Sequence, residues 1–150
     1  MPIANRGDKW LRTFVPYVMY RITSMLNMRI RRKLRSAGIN LARWRVLAVL
    51  RANGEINLGR VVELTVMEQP SVSRIVTQLV NEGLVKRKLS KADSRIVLVR
   101  LTAAGVKAFK SIYPTAEAHQ KLALRGFTKT EVSTLTGYLR RIQKNIEMEE

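Results

Sequence analysis

Arg74 and Gln78 stand four residues apart in the stretch SVSRIVTQLVNEG, residues 71–83. On a helix that spacing places both side chains on one face. An arginine fork donates two hydrogen bonds to guanine O6 and N7, and a glutamine amide can read adenine. Ser71 and Ser73 are short enough to let a backbone approach closely, with hydroxyls that bond phosphate or base, and Thr77 shares the polar side. Any solvated helix presents a face of this kind, so the stretch alone does not separate a reading surface from an ordinary one.

The residues that follow change the weighting. Lys86, Arg87, Lys88, Lys91 and Arg95 concentrate positive charge just beyond the helix. Asp93 and Arg95 flank a polar tip, so the carboxylate can orient the guanidinium. An oriented arginine at a hairpin tip suits a narrow, electronegative minor groove. The plain alternative is a surface ion pair of little energetic weight.

Composition agrees with a polyanionic partner. Lys and Arg number 28 against 11 Asp and Glu, a formal charge of +17 over 150 residues. Such a chain repels itself unless an anion is near, which points to nucleic acid or anionic lipid. It has no cysteine and one histidine, His119. Thiolate chemistry, disulfides and histidine-rich metal centres are thereby excluded, and no metal or cofactor is expected. No G-x-S-x-G, G-x-x-x-x-G-K or H-E-x-x-H motif is present, so an enzyme is not expected. MPIANRGDKW lacks a signal-peptide core, and no run reaches membrane-spanning length, so a cytoplasmic protein without membrane association is expected.

The positioning elements follow from periodicity. From Trp10 to Ser36, Ile22, Leu26, Ile30 and Leu34 recur at i+4, with Pro16 suited to a first turn. The stretch RIRRKLR, residues 29–35, is a solvated helix end or an extra anion contact. Gly38 ends that helix, and Asn40 caps one carrying Leu41, Trp44, Leu47 and Leu50. Asn53-Gly54 marks a turn, and Asn57 caps a short helix with Leu58, Val61, Val62 and Thr65 inward. Gln69 is then the cap, and Pro70 the first residue, of a helix whose Val72, Ile75, Val76, Leu79 and Val80 form its apolar stripe. Gly83 closes it. LVKRKLS and RIVLVRLT read as two strands around Lys91-Ala92-Asp93-Ser94. Thr102 caps a helix running towards Arg125, kinked at Pro114. Gly126 breaks it. Thr128 and Glu131 form the capping box of a last helix with a seam of Val132, Leu135, Leu139, Ile142 and Ile146. That seam needs cover from the first helix or from a second copy. The expected fold is mainly α with a small β-hairpin wing, a winged helix-turn-helix over residues 40–102.

GLVKRKLSKADSRIVLVRLTAAG, Gly83 to Gly105, resembles the wing region of the MarR family of bacterial regulators. SVSRIVTQLVNEG and NLARWRVLAVL match that family as well, and the likeness extends over nearly the whole chain. It implies one MarR-like domain over residues 1–150, a homodimer whose helices at 10–36 and 103–148 entwine, and a double-stranded operator as partner. It also implies release by a small effector, often an aromatic acid, and a phosphate-bearing thioester such as an acyl-CoA also suits the basic run. Carried across by position, Gln69 and Pro70 open the recognition helix, although Gln69 departs from the serine more usual there. Ser71, Ser73, Arg74 and Thr77 would face the major groove, and Arg95 the minor groove. The family's ligand site would here draw on Tyr17, Tyr20, Arg21 and Trp44, residues equally suited to plain core packing. The rival reading is a ligand-independent basic nucleic-acid scaffold. Residues 71–95 hold no aromatic stacking platform for single strands, which counts against an RNA module.

Overall fold

Asn40, Asn57 and Thr128 each start a helix where the sequence places a cap. The computed structural model describes residues 8–149. Its elements are α1 (Asp8–Thr13), α2 (Val15–Ser36), α3 (Leu41–Asn53), β1 (Ile56–Asn57), α4 (Leu58–Thr65), α5 (Gln69–Asn81), β2 (Val85–Leu89), β3 (Val97–Leu101), α6 (Ala103–Ala123) and α7 (Lys129–Glu147). The chain divides into two compact units, Met1–Ala116 and Glu117–Glu150.

In the first unit the Asn40 side chain accepts from the Arg43 amide at 2.8 Å, and Asn57 from the Arg60 amide at 2.7 Å. Gly38, Gly54 and Gly83 adopt positive φ at the helix ends, where a side chain would be strained. The expected stripe of α5 is inward: Val72, Ile75, Val76 and Leu79 are buried. They join Leu34 of α2, Val46, Leu47 and Leu50 of α3, Val61 of α4, and Val85 and Val99 of the sheet in one core. Each such side chain contributes about 1.5–3 kcal/mol by leaving water.

The expected start of the regular helix, with Pro16 in its first turn, holds, and two other sequence expectations need correction. The first helix is interrupted at Phe14, which is extended (φ −74°, ψ 101°), and Pro16 lies in the first turn of α2 as its chemistry requires. A helix running through Pro16 would set its ring against the carbonyl of Arg12. The wing is more than a hairpin, because β1 pairs antiparallel with β3 (Ile56 opposite Val99) to give a sheet of order β1-β3-β2. Gln69 is not the cap of α5: the Glu68 carbonyl accepts the first helical bond, from Val72 N at 3.1 Å. Glu68 is therefore the N-cap, without a side-chain bond, and Pro70 is the second helical residue rather than the first. Proline fits either position, since the amides of both lack intrahelical acceptors.

Thr102 explains the Leu-Thr-x-x-Gly pattern. Its hydroxyl accepts from the Gly105 amide at 3.0 Å, capping α6, and donates to the Gly83 carbonyl at 2.6 Å. α6 continues through Pro114 and ends at Ala123, two residues short of the expected Arg125.

In the second unit the Thr128–Glu131 capping box is complete, and the Thr128 groups hold the Glu131 carboxyl below its ordinary pKa. No residue of α7 is buried, and Leu139 and Ile146 of the seam are 43% and 60% exposed.

Candidate nucleic-acid interface

Burial of one side of α5 turns the other side out. Arg74 and Gln78 are exposed, while Ser71, Ser73 and Thr77 are half-buried at its margins. Thr77 is partly committed already: its hydroxyl donates to the Ser73 carbonyl at 2.9 Å and accepts from Arg87 Nη1 at 3.3 Å. Strand alternation puts Arg87 on the same side of β2 as buried Val85, which is how it reaches α5. In the sequence Arg87 stands only among the wing charges. The alternation from Val85 was the available signal for its contact with the helix.

The wing carries its cations in three different states. Lys88 Nζ lies 2.9 Å from Glu55 Oε1, and Arg100 Nε lies 3.6 Å from Glu55 Oε2. Lys91 is exposed at the tip and has no carboxylate partner among the described residues. Arg95 is held by Asp93 through three bonds, Nε to Oδ1 at 3.1 Å, Nη2 to Oδ2 at 3.0 Å and the amide to Oδ1 at 3.0 Å. Its side chain is nonetheless 89% exposed. Asp93 therefore aims the fork outward, as the Asp-x-Arg spacing suggested.

Those bonds, the side-chain ones foremost, hold the Asp93 carboxyl below its ordinary pKa and raise that of Arg95. A depressed carboxyl pKa keeps the pair intact above the usual carboxylate range, about pH 4, and loses it only as pH falls through the lower folded value. Both members of the pair thus stay charged through the neutral range.

The aromatic candidates separate into two groups. Tyr17 and Tyr20 meet each other at 6.4 Å between centroids, with Tyr20 and Arg21 exposed. Trp44 stacks instead on Phe109 of α6, 5.1 Å away and 9° from parallel, and Phe109 in turn meets Tyr113 at 5.5 Å. Phe109 was absent from the sequence-based candidates because it lies far from Trp44 along the chain. No cluster of three or more His, Cys, Asp or Glu side chains suited to a metal occurs among the described residues. Glu117, the neighbour of His119, pairs with Lys121 at 3.4 Å. No helix among the described residues is long and apolar enough to cross a membrane.

A helix-turn-helix with an outward polar face, backed by a three-stranded sheet with an aspartate-aimed arginine, matches known proteins. The MarR family model matches residues 37–96. A MarR family transcriptional regulator from Silicibacter pomeroyi DSS is 31% identical, covering 97% of this chain and 96% of its own, with a TM-score of 0.84. The chain belongs to the MarR family. It is also similar to the transcriptional repressor IacR of Pseudomonas putida, 24% identical over 87% of this chain and 78% of that protein. BpsR of Bordetella bronchiseptica, whose DNA binding is regulated by 6-hydroxynicotinic acid, is 25% identical over 86% of this chain and 98% of its own, with a TM-score of 0.75. Members of the MarR family are DNA-binding transcriptional regulators rather than enzymes, and this chain is a MarR-family regulator.

Proposed function

We propose that the protein is a homodimeric, cytoplasmic repressor that binds a palindromic operator and leaves it when a small aromatic or anionic effector binds. The observation that carries the reading is the pairing of two outward readers on one lobe, the Arg74–Gln78 face of α5 and the Asp93-aimed Arg95 of the wing. α5 enters the major groove with Gln69, Pro70, Ser71 and Ser73 near its base-proximal end. Arg74 takes guanine, Gln78 adenine, and Thr77 holds Arg87 beside them. Lys88 and Lys91 face backbone phosphate, and Arg95 enters the flanking minor groove.

Dimerisation is supported by the seam of α7, where no residue is fully buried and Leu139 and Ile146 are exposed: residues 10–36 and 103–148 would pair with a second copy while residues 40–102 bind DNA, within one domain spanning 1–150. The repressor role is supported by the likeness to IacR, and an aromatic effector by the likeness to BpsR. Tyr17, Tyr20, Arg21 and Trp44 are the proposed effector contacts, for an aromatic acid or its CoA thioester. The effector would favour a dimer whose α5 helices are spaced wrongly for successive major grooves.

Fluorescence anisotropy on the DNA upstream of the protein's own gene, beside scrambled DNA, tests this with a panel of aromatic acids and thioesters. Selective binding released by one compound is expected. Equal binding to both DNAs, unmoved by every compound, would make the protein a ligand-independent basic scaffold.

Two variants divide the reading residues. Arg74→Ala should cost about 1–3 kcal/mol on the operator and relax preference at one base pair. Equal loss on operator and random DNA would reassign Arg74 to the phosphates. Arg95→Ala should weaken binding most where flanking A·T tracts narrow the minor groove. Insensitivity to flank composition in the same titration would remove the minor-groove role.

A further inference from the structure

The run RIRRKLR is resolved by the structure into two sides. Ile30 and Leu34 are 7% and 0% exposed, which fixes the rotation of the last turns of α2. Arg31 and Arg35, one turn apart, then line a solvent-open groove of about 1010 Å³ bounded by α2, the start of α3, the α4–α5 link and α5. Arg29, Arg32 and Lys33 belong to the same run and do not line it.

Arg43 and Arg74 bring two further guanidiniums to that groove, and Glu68 is the sole carboxylate among the lining residues. Arg43 pairs with Glu82, and its Nε is buried without an acceptor. Arg31 and Arg35 meet no carboxylate among the described residues, unlike Arg43, Arg60, Lys88, Arg95, Arg100 and Lys121, which each do. Arg31 and Arg35, without a carboxylate partner, repel one another, and an anion drawn between them relieves that repulsion. Arg74 and Gln78 belong both to the groove wall and to the outward face of α5. Phosphates of a duplex read by those two side chains would then fall within reach of the same groove, where Arg31 and Arg35 stand.

We propose that this groove holds backbone phosphates bordering the major groove, with Arg31 and Arg35 as positioning contacts that add affinity without sequence preference. The proposal rests on the reading of α5 as the recognition helix. An open groove fits a strand passing through it better than an enclosed small ligand, whose pockets bury most of its surface.

The test compares Arg31→Ala/Arg35→Ala with Arg32→Ala/Lys33→Ala, which removes equal charge from the other side of the same turn. Each is titrated on operator and random duplex across a salt series. The groove pair should lower the slope of log K against log salt by about 2 per protomer and weaken both DNAs by the same factor. The control pair should leave the slope near that of the wild type. Arg31→Lys/Arg35→Lys should restore it, because a point charge suffices for phosphate. Equal slopes for the two alanine pairs would overturn the proposal by reducing the run to diffuse charge. So would an unchanged slope accompanied by loss of competition from tripolyphosphate at fixed ionic strength, which would give the groove to a soluble anion. A wild-type protein without operator preference would fail the regulator reading, while the slope comparison on random duplex would still decide the groove.

Discussion

Gly105→Ala is expected to destabilise the protein by about 3 kcal/mol, at the upper part of the overpacking range. Helix propensity alone predicts the opposite sign, a gain of up to about 1 kcal/mol. The difference is steric. A β-carbon on Gly105 would lie 2.0 Å from the Leu84 carbonyl oxygen and 3.0 Å from its carbon, and backbone cannot rotate away as a side chain can. The same carbonyl accepts from Thr102 N at 3.0 Å, so moving it breaks the join between the sheet and α6. Thermal unfolding should show a fall in Tm of about 10 °C for a chain of this size. An unchanged or raised Tm would mean that the Leu84 peptide gives way freely.

Leu79→Ala should cost about 2–5 kcal/mol, the range for emptying a fully buried aliphatic site. Leu79 is 0% exposed, and its carbonyl accepts from Leu84 N at 2.9 Å across the turn at Gly83. One residue thus seats α5 in the core and fixes the entry of the chain into β2. Urea denaturation measures the loss directly. A change below about 1 kcal/mol would show that the core refills around the gap and that α5 is held from elsewhere.

Most of the fold was legible because it rests on local chemistry. The three- and four-residue steps from Val72 to Leu79 matched the buried side of α5, and Asn40, Asn57 and Thr128 capped as their side chains allow. The Asp93–Arg95 pairing was legible for the same reason, since both partners lie within one tip. What escaped was either very short or distant along the chain. β1 is two residues long, too short to alternate, and it exists only because β3 offers it an edge. Gln69 looked like a cap because Pro70 follows it, yet the choice between Gln69 and Glu68 turns on which carbonyl Val72 reaches. The groove joins Arg31 and Arg35 to Arg74 and Gln78 across two intervening helices, and the Trp44–Phe109 stack spans a comparable stretch. No periodicity within either segment encodes such pairings.

Asn57 belongs to two elements at once. It is the last residue of β1, opposite Leu98 on β3, and its side chain caps α4 through the Arg60 amide. Thr77 and Arg87 tie the next helix to the other side of the same sheet. A swing of the wing would therefore uncap one helix and pull on another. If α5 and Arg95 read DNA as proposed, these two ties would set the spacing between helix and wing tip, and so the distance along a duplex that the lobe can span.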